Sequence, residues 1–302
     1  MFKTRVKAFF LSFLFTLCML MPMAAIVRWN TALRSRTVQA AAQPTQTMQP
    51  GANANHRTTL LVCVADKEQL SFVLLRLDAV AGQVELAAVP QESVVLTPGG
   101  SETLETGYRT AGPARAAQRL RDTLGIRIDR YLALSPAVLE KLMTRVGKVS
   151  YSLAGAFSAR RLQELSLNPP MRQETLAEAE VLLRELQAQG RALPTEAAAA
   201  RAAAWDALFR QRRENLARYL AAALRSVSGS VLTDLTAVDL YHLGETLDYL
   251  AAGEPEPESG VLPGVWAADT GRYEFDETTV AYVQSRFSSA ASAADSAQGR
   301  AP

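Results

Sequence analysis

Residues Ala8 to Val27 read AFFLSFLFTLCMLMPMAAIV, twenty positions without a charge. A run of that length spans the roughly 30 Å of a bilayer's hydrocarbon as one helix. Pro22 falls near its end, where a spanning helix tolerates it. Lys3, Arg5 and Lys7 precede the run, and Arg28, Arg34 and Arg36 follow it, so charge bias sets its orientation weakly. The run exceeds the 7–15 apolar residues of a cleaved signal, which favours an uncleaved signal-anchor; the small residues Ala24 and Ala25 keep cleavage open. The remaining chain is therefore expected to form one domain held at a membrane, on its extracytoplasmic side. The expected segments are a short cytoplasmic N-terminus 1–7, the anchor 8–27, a linker 28–57, a domain 58–287 and a tail 288–302.

The chain of 302 residues carries 32 Lys and Arg against 30 Asp and Glu, a net charge of +2. Such a balance leaves no basic face for a phosphate backbone and excludes a nucleic-acid reader. The two cysteines, Cys18 and Cys63, lie in the anchor and in a predicted strand, without metal-ligand spacing. Two histidines, His56 in the linker stretch and His242 in a helical pattern, exclude a His-rich metal site.

Thr59–Ala65, Ser71–Leu77 and Gln83–Val89 are short apolar runs rich in strand formers, with a turn over Asp78–Gly82. A loop at Pro98-Gly99-Gly100 follows. Gly112-Pro113 then opens a helix that Gly125 ends. Tyr131–Leu134 is a strand, Ser135-Pro136 caps a helix with Val138, Leu139, Leu142 and Met143 on one face, and Val149–Leu153 is a further strand. Helices are expected over Leu176–Leu186, Ala197–Val227 and Leu235–Ala252. Gly253–Gly260 reads as an acidic surface loop, and Val261–Val283 as a last strand-and-helix unit. The alternation predicts a layered α-β-α domain with a central mixed sheet, preceded by one transmembrane helix.

Single residues point weakly to chemistry. Asp66 ends the first strand, where ligand crevices form in layered sheets; a Mg²⁺-holding carboxylate and a plain turn cap are both open. Arg109 precedes the Gly112-Pro113 helix start and suits an anion, as does the Arg210, Arg212, Arg213 group; a solvated face explains either equally. No Walker loop, G-x-S-x-G, H-E-x-x-H or G-x-G-x-x-G is present.

The run from Leu104 to Leu153 carries a resemblance. Leu104, Tyr108, Gly112, Pro113, Leu124-Gly125-Ile126, Ile128-Asp129, Tyr131, Leu142 and Gly147 fall in the register of the LytR–CpsA–Psr family of bacterial envelope proteins. AAVPQES at 87–93 and LPGVWAADTGRYEF at 262–275 extend the likeness over about residues 58–285. The resemblance implies a phosphotransferase of cell wall biogenesis that moves an anionic glycopolymer, such as a teichoic acid, from a polyprenyl-pyrophosphate carrier to peptidoglycan. It implies an apolar pocket for the prenyl tail, arginines for the pyrophosphate and Asp residues for Mg²⁺. Carried over by register, the metal-side residue is Asp66, and Arg184 and Arg212 fall at the family's later arginine positions; together with Arg109 they are the candidates that would bind phosphate in place of the missing arginine. The chain departs from the family pattern at Phe72 and Gln91, where it has an Asp and an Arg, at Glu92 beside Gln91, and at Glu105, where it has an Asn. These departures imply weakened or lost transfer; the alternative is a non-catalytic binder of polyprenyl lipid, or a scaffold, in envelope assembly.

Overall fold

The structure, a computed structural model, describes residues 51–287. The expected anchor 8–27, most of the linker and the tail 288–302 lie outside the described residues. No helix among the described residues is long and apolar enough to cross a membrane.

Three strands open the domain, β1 (Arg57–Ala65), β2 (Leu70–Asp78) and β3 (Gln83–Val89), joined as an antiparallel meander. A hairpin of β4 (Val94–Thr97) and β5 (Gly100–Thr103) leads into α1 (Leu104–Leu124). Then come β6 (Arg130–Leu134), α2 (Pro136–Val146), β7 (Val149–Ser152), α3 (Ala159–Glu164), β8 (Met171–Glu174) and α4 (Leu176–Ala188). The long α5 (Pro194–Ser226) is followed by β9 (Leu232–Thr233), α6 (Ala237–Gly253), β10 (Glu258–Val261), β11 (Val265–Ala267), β12 (Arg272–Glu274) and α7 (Glu277–Phe287). The central sheet has six strands in the order β10-β3-β2-β1-β6-β9. β6 joins β1 and β10 joins β3 in parallel, while the other pairs are antiparallel, so the sheet is mixed as expected.

Alternation along the strands divides the core in two. Leu60, Val62 and Val64 of β1 face α2, α4, α5 and α6, together with Val73 and Leu75 of β2. Leu61, Cys63, Phe72 and Leu74 face α1 and α7, against Leu120, Leu124, Val283 and Phe287. Burial pushes the Cys63 thiol up, as befits a small apolar filler rather than a reactive group.

The quoted helix signals act as read. Ser135 accepts the Val138 N–H at 3.3 Å, and Pro136 starts α2. Gly125 takes φ +64° at the end of α1. Gly112, at φ +74°, breaks α1 ahead of Pro113, a conformation that disfavours any L side chain. The Asp129 carboxylate accepts the Thr59 N–H at 2.9 Å while its own N–H donates to the Thr59 carbonyl at 2.8 Å, which fixes β6 beside β1.

Three expectations change. Glu258, Ser259 and Gly260, expected as the end of a loop, form edge strand β10 with Val261. The Pro98-Gly99-Gly100 stretch is the tip of the β4–β5 hairpin. His56 is part of the domain and not of a linker: it is 4% exposed, its Nδ1 accepts the Asn53 N–H at 3.0 Å, and Nε2 lies 3.3 Å from Glu245 of α6.

Candidate functional site

The β1–β2 turn, residues 66–69, is tied down by two arginines from different helices. Arg184 of α4 lies with Nη2 2.5 Å from Asp66 Oδ2 and donates to the Gln69 carbonyl at 2.7 Å. Arg109 of α1 donates to the carbonyls of Lys67 and Glu68 at 3.0 and 2.8 Å and to Glu105 at 2.7 Å. Asp66, Arg109, Arg184 and Glu105 therefore meet at one end of the sheet, although they are up to 118 positions apart in the chain.

Arg212 is not among them. It sits at a break in α5, where its φ is −127°, and its Nε donates to the Lys148 carbonyl at 2.7 Å. Neighbouring Gln211 bonds both the N–H and the carbonyl of Ser150, so this stretch of α5 clasps β7. The helix register explains the difference. The arginine of α5 that belongs to the polar cluster is Arg201, about three turns earlier. Its Nε is 3.0 Å from both oxygens of Glu180 on α4, and the two side chains are 2% and 1% exposed. Glu180 and Arg184 share one face of α4, and Arg201 and Trp205 share one face of α5, each pair four residues apart.

Gln91 and Glu92 follow β3 at the same sheet end. Gln91 accepts the Leu70 N–H at 3.3 Å and donates to Glu92 Oε1 at 3.1 Å. Burial raises the Glu92 carboxyl; Gln91 and the nearby Arg201 oppose this, and Glu105 adds to it. Phe72 is fully buried against Tyr108, ring centroids 5.8 Å apart, on the α1 side of the sheet.

Several buried polar atoms here have no partner among the described residues: Gln69 Oε1, Ser71 Oγ, Glu92 Oε2 and Arg184 Nε. Buried polar atoms are almost always satisfied, so a concentration of orphans marks a place built for water or a ligand. The charges at this place are already largely balanced. Arg109, Arg184 and Arg201 each already hold a carboxylate, and Glu92 adds another.

The resemblance implies Mg²⁺ at Asp66, and the residues do not fit it. Asp66 Oδ1 accepts the N–H groups of Glu68 and Gln69, both at 2.8 Å, and Oδ2 is taken by Arg184. Burial alone would raise this carboxyl; the two N–H bonds and the guanidinium outweigh it and hold it below the usual carboxylate range. At the second position Phe72 offers no ligand.

From Trp205 the interior turns apolar. Its indole N–H points to Glu180 at 3.5 Å, a long contact, while its ring lines a slit between the sheet and α2, α5 and α6. Leu60, Val62, Leu75, Leu132, Leu208 and Leu243 are among the walls, and every lining residue is apolar. The slit holds about 50 Å³. A cavity of ~150 Å³ accommodates benzene, so an isoprenoid chain enters only if the walls part.

At the opposite end of β1, His56, His242 and Glu245 bring ligand-type atoms within 4.8 Å of one another. His56 Nδ1 already accepts a backbone N–H, so the neutral ring carries its proton on Nε2, the atom that faces Glu245. A metal-bound histidine normally donates from its other nitrogen, and this one accepts there. The trio is a hydrogen-bonded clasp.

No family profile matches the sequence, and no curated protein matches it. Solved structures share the fold at low identity. TagT bound to LIIa-WTA aligns with TM-score 0.59 and 11% identity over 80% of this chain and 95% of that one. A transcriptional regulator from Enterococcus faecalis aligns at 0.56 and 16%, over 81% and 94%. TagV of B. subtilis aligns at 0.53 and 15%, over 76% and 94%.

Proposed function

We propose, from a fold that is that of the LytR–CpsA–Psr proteins, that this chain binds a polyprenyl-linked envelope glycopolymer at the surface of a membrane. The anionic headgroup lies at the Asp66–Arg184–Arg201 end of the sheet, and the prenyl tail parts the slit beyond Trp205. The observation that carries the reading is Trp205 itself, one side chain that touches the polar cluster with its N–H and walls the apolar slit with its ring. The ligand named with TagT, LIIa-WTA, supports a glycopolymer of the wall teichoic acid kind. The uncharged segment 8–27 supports a single-pass anchor with the domain on the extracytoplasmic side, within reach of peptidoglycan.

Transfer to an acceptor is poorly served by this site. Phosphoryl transfer is driven by positioning and by cationic donors aimed at developing charge. Here Gln91 is neutral, Phe72 carries no carboxylate and the three guanidiniums are paired. This arrangement favours a binder over a fast transferase.

The test is the thermal stability of the full chain in detergent, with undecaprenyl phosphate and with undecaprenol added separately. The reading expects both to stabilise and the phosphate to stabilise more. Equal shifts would remove the headgroup from the account, and no shift from either would remove the lipid.

A further inference from the structure

We propose that this site holds its anionic headgroup without a divalent cation, with the Arg184 guanidinium occupying the place at Asp66 that a metal would need. The inference rests on the headgroup reading above and concerns what neutralises that headgroup.

Mg²⁺ demands near-octahedral oxygen ligands and is held in proteins by one or two carboxylates with free lone pairs, beside water and phosphate oxygens. The carboxylates here are committed. Asp66 has one oxygen on two backbone N–H groups and the other on Arg184. Glu180 has both oxygens at 3.0 Å from Arg201 Nε. Glu105 is bonded to Arg109. Among the described residues Glu92 Oε2 and the second oxygen of Glu105 carry no bond, but neither belongs to Asp66, the position at which the resemblance puts the metal. To admit a cation at Asp66, Arg184 would have to leave, yet its side chain is 5% exposed and wedged under the turn by the Gln69 carbonyl. A dication set beside a buried guanidinium without its counter-ion meets both desolvation and like-charge repulsion.

The same arginine has something to offer an anion. Its Nε is buried and unpartnered among the described residues, as is the Ser71 hydroxyl, which can donate. Two buried donors without acceptors, beside a guanidinium already fixed in orientation, suit a phosphate oxygen. The fixed charge of Arg184 does the work that a metal does where two aspartates are available. Phe72, where the family pattern has its second Asp, is buried against Tyr108 in the core and supplies no oxygen to a cation.

The experiment uses the full chain in detergent after exhaustive EDTA treatment. Farnesyl diphosphate is titrated in EDTA and again in excess Mg²⁺, and Mn²⁺ binding to the ligand-free protein is read by electron paramagnetic resonance. The expected result is an affinity equal within about twofold in the two buffers and no protein-bound Mn²⁺ signal. Arg184→Gln is expected to weaken binding by about tenfold or more, with no rescue by Mg²⁺, while Arg184→Lys keeps part of the affinity. Binding that drops by more than about tenfold in EDTA, or a stoichiometric Mn²⁺ signal, overturns the inference and leaves the headgroup reading intact. No binding in either buffer overturns the headgroup reading and this inference with it. The comparison of buffers needs no variant, so a misfolded Arg184→Gln protein does not spoil it.

Discussion

Arg184 and Asp66 meet at 2.5 Å across the end of the sheet, and the same guanidinium holds the carbonyl of Gln69. One pair thus fixes a turn, spends a carboxylate and presents a buried cation to whatever lies below. Asp66→Asn keeps the acceptor for the Glu68 and Gln69 N–H groups but leaves Arg184 without its counter-charge. It is expected to lower unfolding stability by about 1–3 kcal/mol in urea titration. A change within error would mean that the pair is solvated and holds nothing.

Arg201 and Glu180 are more deeply buried. Arg201→Met leaves a carboxylate without a partner in the interior and is expected to cost about 3–5 kcal/mol. Adding Glu180→Leu should recover most of that loss, because removing both charges also removes the desolvation. Urea unfolding of the two single variants and the double gives the coupling; independent, additive losses would contradict it.

Glu92 gives a pH dependence of known sign. Burial raises its carboxyl above the ordinary 4.5, so the folded chain holds a proton there that the unfolded chain has released. Stability is therefore lost as pH rises from 4.5 through the folded titration, and the deficit persists above it. Glu92→Gln is expected to be more stable than the parent at neutral pH, with the advantage vanishing below about pH 4, near the unfolded value. Thermal melts across pH check it, and an advantage that is the same at every pH would contradict it.

The slit offers a test that separates packing from binding. Leu208 is 1% exposed and lines it. Leu208→Ala is expected to cost about 2–5 kcal/mol, as buried leucine truncations do. Farnesyl phosphate should return more stability to the variant than it adds to the parent, because a ligand of the folded state stabilises by mass action and the enlarged cavity admits the chain at lower cost. An equal shift in both proteins would place the chain elsewhere.

Much of the fold was legible in local signals. The β1, β2 and β3 runs, the Ser135 cap and the Gly125 stop depend on neighbours within a few residues, and the sequence displays those directly. What was hidden depends on partners far along the chain. The end of the acidic stretch Gly253–Gly260 joins an edge strand only because β3 lends it a backbone to pair with. His56 is buried by Glu245 and Tyr249, which no linker composition announces. Arg201 stands in an alanine-rich run, and its role follows from Glu180 on another helix; the signal available was its spacing of four from Trp205. Arg212 drew attention through a cluster of arginines that the helix in fact turns toward β7 and the loop after α6, where Arg213 pairs with Glu254. Asp66 and Arg184 were both singled out, but the sequence could not say that they would neutralise each other.

The Asp66–Arg184–Arg201 end of the sheet and the slit beyond Trp205 are proposed to bind a polyprenyl-linked anion. The most direct measurement is to purify the full chain from membranes, extract it with organic solvent and identify the lipid by mass spectrometry. A polyprenyl phosphate or pyrophosphate species is expected, depleted in an Arg184→Gln preparation that is otherwise folded. An extract without polyprenyl lipid, from a protein that also shows no shift with undecaprenyl phosphate, would contradict it.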